Sequence, residues 1–169
     1  MKYCKTTTIT HPVALAYPEI IEDINIVIER EGHQSTTIIF DTNTVVINLD
    51  IAEARVSLAE KRARSKSMDI SFGAISADES SRKMVLVELR FNYENLRNVY
   101  KGALEEKIEG SKNILGGNIE IHEEYIFIFQ TNLVEQAKNR FFRTRPSIRN
   151  TYRIMDINQL QALYFHSGD

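Results

Sequence analysis

The stretch 68–93 constrains this chain most. MDISFGAI and KMVLVELRFNY are apolar runs separated by a polar segment rich in Asp, Glu and Ser. They predict two neighbouring strands joined by a turn. Side chains alternate faces along a strand, so Glu88 and Arg90 share one face of the second strand. A charged pair inside an otherwise apolar strand carries a desolvation cost. That cost makes Glu88 and Arg90, with Asp69 near the start of the first strand, the leading functional candidates.

The rest of the chain predicts helices packed on further strands. Pro12 and Pro18 suit first helical turns. Beyond Pro18, Ile20, Ile21, Ile24, Val27 and Ile28 recur at helical spacing, predicting a helix to about Glu31 with Gly32 as its C-cap. A strand over 24–28 is the alternative. Ile38, Ile39 and Phe40, then Val45, Val46, Ile47 and Leu49, predict a hairpin turning at Thr42-Asn43. Asp50 with Glu53 matches a capping box and opens a helix through Ala63, whose basic end complements the helix dipole. Leu96, Val99, Tyr100, Ala103, Leu104 and Ile108 form the apolar stripe of a further helix, stopped by Gly116-Gly117. A strand over 125–130 follows. Asn132 with Glu135 predicts another capped helix, TYRIM a last strand, and Asp156 with Gln159 a capped terminal helix.

At 169 residues the chain is expected to be one domain, with 1–10 as a flexible arm or edge strand. Hydrophobic and charged fractions of 43% and 26% are close to those of an ordinary globular chain and favour neither a disordered nor a fibrous class. The expected class is α/β or α+β, a mixed sheet of about five to seven strands flanked by helices. The one cysteine, Cys4, forms no internal disulfide, and four scattered histidines give no zinc spacing. The apolar runs are far shorter than the roughly 18 residues of a membrane span. The N-terminus lacks the apolar core of a signal peptide. A cytoplasmic protein with no membrane partner is therefore expected.

The order is strand with Asp69, strand with Glu88-x-Arg90, helix, strand, helix. It resembles the PD-(D/E)XK nuclease superfamily over roughly residues 53–133. The resemblance implies a restriction-endonuclease-like architecture and a metal-dependent phosphodiesterase. Asp69 matches the family's first acid and Glu88 its second; together they would hold Mg2+, while Arg90 falls where the family has lysine. Two carboxylates converging on a hard cation is the chemistry involved, with a cationic group beside the phosphate. Met68 replaces the proline before the first acid. Arginine stays protonated, so Arg90 can hold phosphate but cannot take a proton from water. Lys83 and Lys101 are the candidates to supply a lysine in space.

A second constellation is basic. Lys138, Arg140, Arg143, Arg145, Arg149 and Arg153 are interleaved with Phe141, Phe142 and Tyr152, and no acid lies within this span. Arginine binds phosphate bidentately and stacks on bases, so this composition suits a nucleic-acid surface. Lys61, Arg62, Arg64 and Lys66 would add a second patch. With a net charge of −2, such a surface has to be local. The same asymmetry, acidic in front and basic behind, equally suits docking to a protein partner, as in an inhibitor or immunity-type module without catalysis. His122 beside Glu120, Glu123 and Glu124 is a weaker metal candidate.

Overall fold

The computed structural model describes residues 1–33, 38–92, 101–143 and 151–165, with the backbone alone at 101 and 142. These form one α/β domain around a mixed seven-stranded sheet. In chain order the strands are β1 (Lys2–Tyr3), β2 (Ile21–Asp23), β3 (Val45–Asn48), β4 (Ile70–Ile75), β5 (Arg82–Arg90), β6 (Glu120–Phe129) and β7 (Tyr152–Met155). The helices are α1 (Lys5–Ile9), α2 (Pro12–Ala16), α3 (Ile24–Arg30), α4 (Leu49–Ala59), α5 (Lys101–Leu115), α6 (Val134–Arg143) and α7 (Ile157–Leu160). The strands lie in the order β2-β3-β4-β5-β6-β7. From β2 to β5 all pairs are antiparallel; β5-β6 and β6-β7 are parallel. Parallel neighbours need crossover helices, and α5 and α6 supply them.

The alternation of β5 divides the core in two. Met84 and Leu86 face one side, where they join Phe127, Phe129 and residues of α2, α4, α5 and α6. Val85, Val87, Leu89 and Phe91 face the other, with Ile126, Ile128, α3 and the C-terminal Leu160 and Tyr164. We call these the first and second faces. A sheet covered on both sides explains why VLVEL reads as a nearly continuous apolar run.

The β4-β5 hairpin forms as read, with Ile70 opposite Val87 and Ile75 opposite Arg82. Asp156 and Gln159 form the expected capping box. Gly116 closes α5 with φ +65°, a conformation that favours glycine. Of the stripe expected from residue 96, Leu96, Val99 and Tyr100 lie outside the described residues.

Other expectations are corrected. The segment expected to be helical from Pro18 begins with a short 3-10 turn, continues as β2, and turns helical only at Ile24. Asp23 caps that helix by accepting from the Asn25 amide. Pairing of β2 with β3 overrides the helical periodicity of its isoleucines. Residues 38–40 are not a strand. The turn before β3 exists, with Thr44 N–H donating to Asp41 O, but β3 pairs with β2 and β4 instead. The cap of α4 is Asn48, whose Oδ1 accepts from Ile51 N–H, and Asp50 sits in the first turn. That helix ends at Ala59, so its basic tail is a loop. Asn132 lies inside a 3-10 turn that precedes α6, rather than capping it.

Within the N-terminal stretch, Lys2–Tyr3 form an edge strand as expected, while Lys5–Ile9 are helical rather than a flexible arm. β1 pairs with the far half of β4, on the same edge as β3. Tyr3 bridges the two: its hydroxyl donates to Val45 O (2.8 Å) and accepts from Val45 N–H (3.0 Å). Then α1 lies on Gly73. Thr8 Oγ1 accepts from Gly73 N–H (2.9 Å), and a Cβ at Gly73 would meet Thr7 Cβ at 2.4 Å. Gly73→Ala should therefore cost about 1–3 kcal/mol through overpacking, read as a lower urea midpoint at unchanged slope. An unchanged midpoint would mean that α1 lifts off β4 freely.

Candidate active site

Strand alternation and hairpin register build the site. Because Ile70 faces Val87, the next position sets Asp69 across from Glu88 at the C-terminal end of β5. Glu88 and Arg90 share the first face, as alternation requires. Glu88 is 1% exposed and Asp69 9%. Asp69 is tied across the hairpin, its Oδ2 accepting from Leu89 N–H at 2.5 Å.

Lys107 of α5 joins the two acids. Its Nζ donates to Glu88 Oε1 at 2.6 Å and lies 3.7 Å from Asp69 Oδ1. Arg90 Nη2 reaches the same Glu88 oxygen at 2.6 Å. Glu88 Oε2 is buried and has no hydrogen-bond partner among the described residues. Buried carboxylate oxygens are nearly always satisfied, so this lone oxygen is an acceptor with capacity to spare.

The electrostatics follow from the packing. Burial, then the charge of Glu88, pushes Asp69 up to about 8, against the pull of Lys107 and the Leu89 amide. Burial also raises Glu88, despite Arg90 and Lys107. For Lys107 burial acts downward, but Glu88 and Asp69 outweigh it and the group is raised. Lys107 is therefore an ammonium, able to stabilise negative charge but not to accept a proton at neutral pH.

A hard divalent cation fits this donor set only in an open manner. Among the described residues no three His, Cys, Asp or Glu groups converge as a closed metal cage. Mg2+, however, commonly takes one or two carboxylates and completes its shell with water and substrate phosphate. Asp69 Oδ1 and Glu88 Oε2, which has no donor among the described residues, are oxygen donors of the type such an ion takes.

The other candidates separate. Lys83 lies near the opposite end of β5 and pairs with Glu120 at 2.8 Å, so it is not the substitute lysine. The side chain of Lys101 is outside the described residues. On α6, Lys138, Arg140 and Arg143 are exposed, and Lys138 pairs with Glu135 at 2.7 Å. Arg145 and Arg149 lie outside the described residues. Arg153 does not join α6. Tyr152 and Ile154 pack on the first face, so Arg153 points to the second, where it pairs with Glu124 at 3.1 Å. The single basic surface read from 138–153 is thus split by the sheet.

The patch at 61–66 is largely consumed in holding its own loop. Arg62 bonds both oxygens of the buried Glu53, Arg64 donates to Asp50 O, and Lys66 pairs with Glu106. His122 Nδ1 accepts from the Glu124 amide rather than meeting a set of acids.

Sequence reasoning missed Lys107. A signal was present: Lys107 and Ser111, four residues apart, flank the Leu104–Ile108 stripe, and Ser111 is fully buried. No family model matches the chain, and no curated protein or solved structure matches it either.

The carboxylate pair has a consequence for stability. An unfolded aspartate ionises near the ordinary 3.8, whereas folded Asp69 keeps its proton to about 8. Unfolding therefore releases a proton in this window, and the contribution of Asp69 to stability falls as pH rises from about 4 to about 8. Asp69→Asn has no such proton and should flatten that decline in Tm, leaving a residual slope from Glu88. Superimposable Tm profiles for variant and wild type would show that another group is responsible.

Proposed function

We propose that the protein binds nucleic acid and acts on its phosphodiester backbone as a nuclease-like, divalent-metal-dependent enzyme. The observation that carries this reading is Lys107, whose ammonium lies against both Asp69 and Glu88. The resemblance calls for two acids and a lysine, and the chain has Arg90 in the lysine's place. Lys107 supplies the lysine from α5, so Arg90 need not serve in that role. Asp69 and Glu88 would hold Mg2+, which when bound supplies Lewis acidity and a water of lowered pKa.

The protein's own groups have separable tasks. Glu88 holds Lys107 and Arg90 at one oxygen, accepting a hydrogen bond from Lys107 and forming an ion pair with Arg90. Charge developing on a phosphate beside them would meet two cations held in place beforehand, which is how such sites lower a barrier. Asp69, anchored by the Leu89 amide, keeps its Oδ1 on the lysine side. Lys138, Arg140 and Arg143 would grip the substrate backbone along α6, on the same face of the sheet. Arg153, on the other face, is left out. The competing reading, a protein-interaction module without catalysis, draws on the internal pairing of Lys138 and Arg153, which takes charge out of the basic stretch.

Cleavage of labelled single- and double-stranded DNA and RNA in Mg2+ or Mn2+ tests the proposal. Asp69→Asn, Glu88→Gln and Lys107→Ala should each lower the rate by about 100-fold or more, the usual scale for losing a charge-stabilising group. Retention on nucleic acid should weaken steeply as salt rises. A wild type that neither cleaves nor is retained at low salt would leave the interaction reading in possession.

A further inference from the structure

We infer that Ser111 is the positioning residue of this site, setting where Asp69 stands relative to Lys107. The inference rests on the reading of Asp69, Glu88 and Lys107 as one site. Ser111 is completely buried on α5, one turn beyond Lys107. Its hydroxyl does two things at once. It donates to the carbonyl of Lys107 at 2.8 Å, and it accepts from Met68 N–H at 2.8 Å. Met68 immediately precedes Asp69. One oxygen atom therefore links the residue that carries the ammonium to the residue next to the first acid.

The neighbouring position makes the joint tight. A Cβ at Gly110 would lie 1.9 Å from Lys66 O, so glycine lets α5 touch the backbone of the segment leading into β4. Contact at Gly110 and the hydrogen bond at Ser111 fix two successive points of α5 against residues 66–68. The loop before Asp69 has no ladder of its own, and β4 begins only at Ile70. Without Ser111, Asp69 would keep its Leu89 bond and the Leu49 N–H on its carbonyl, and Ser67 its bond to Asp50, but the chain entering Asp69 would lose its tie to α5 at Met68. The separation of 3.7 Å between Asp69 Oδ1 and Lys107 Nζ depends on that tie.

Amide hydrogen exchange on the full chain provides the test, because the Leu89 amide donates to Asp69 and reports its seat. In Ser111→Ala the Leu89 amide should exchange about tenfold faster, with Ile126 and Ile128 in the neighbouring strand unchanged. Ser111→Thr, which keeps the hydroxyl, should restore protection. Gly110→Ala should reproduce the loss with the hydroxyl still present. In the cleavage assay Ser111→Ala should lower kcat with KM little changed. Leu89 exchanging no faster in Ser111→Ala, or all three amides accelerating together, would overturn the inference. A selective effect at Leu89 in a protein that cleaves nothing would support the positioning role of Ser111 and overturn the catalytic reading alone.

Discussion

A carboxylate buried in the middle of a sheet can stay only if cations are held against it. Removing a charge from water costs several kcal/mol even after relaxation, and only close, well-oriented partners repay it. Glu88 meets this condition with Lys107 and Arg90 on one oxygen. The need dictates much of the surrounding structure. It requires α5 to cross the first face at the height of Glu88. It requires the strand before α5 and the strand after it to be parallel, so that the helix returns over the sheet. The apolar residues Leu104 and Ile108, either side of Lys107 on the same helix, join the first-face core, while the lysine itself stays partly exposed.

Replacing such a cluster with apolar residues of similar volume is often neutral or stabilising. The cluster is thus an expensive way to fill a core. Glu88 Oε2, without a donor among the described residues, makes it costlier. Two faces of one sheet offer a comparison. The second face is filled by aliphatic and aromatic side chains, among them Phe72 and Tyr164 in edge-to-face contact. The first carries the same kind of core over most of its area and departs from it at the C-terminal end of β5. Under the proposed function, a departure of this kind, with charges of both signs, is what a working site would impose on a core.

The sequence made some of this legible. Strong local patterns survived: the β4-β5 hairpin, the glycine stop after α5 and the Asp156 box depend on neighbours a few residues apart. Asp69 and Glu88 were joined in sequence only by the nuclease resemblance; it is the pairing of Ile70 with Val87 that sets them across from each other. What failed depended on partners far along the chain. Ile21 reads as helical by spacing and becomes strand because β3 lies beside it. Asp50 looks like a cap, but Asn48 takes the position because β3 ends there. Lys107 was passed over because a lysine on a helix normally belongs to the wet face, and only the crossing of α5 over β5 turns it inward. The basic stretch looked continuous in one dimension, while strand alternation at Tyr152 and Ile154 sends Arg153 through the sheet.

The pairing of β1 with β4 has a bearing on how the chain assembles. Lys2 meets Ile75 across more than seventy positions, whereas β4 and β5 meet across a tight turn. Closing a long loop costs only about 0.6 kcal/mol more for each doubling of its length, yet that entropy must be lost before any contact rewards it. The hairpin is thus suited to form early, and β1 to dock late onto a finished edge. Tyr3, which spans the gap between β1 and β3 with a phenol, can engage only once both are in place. The last step of folding is then a latch.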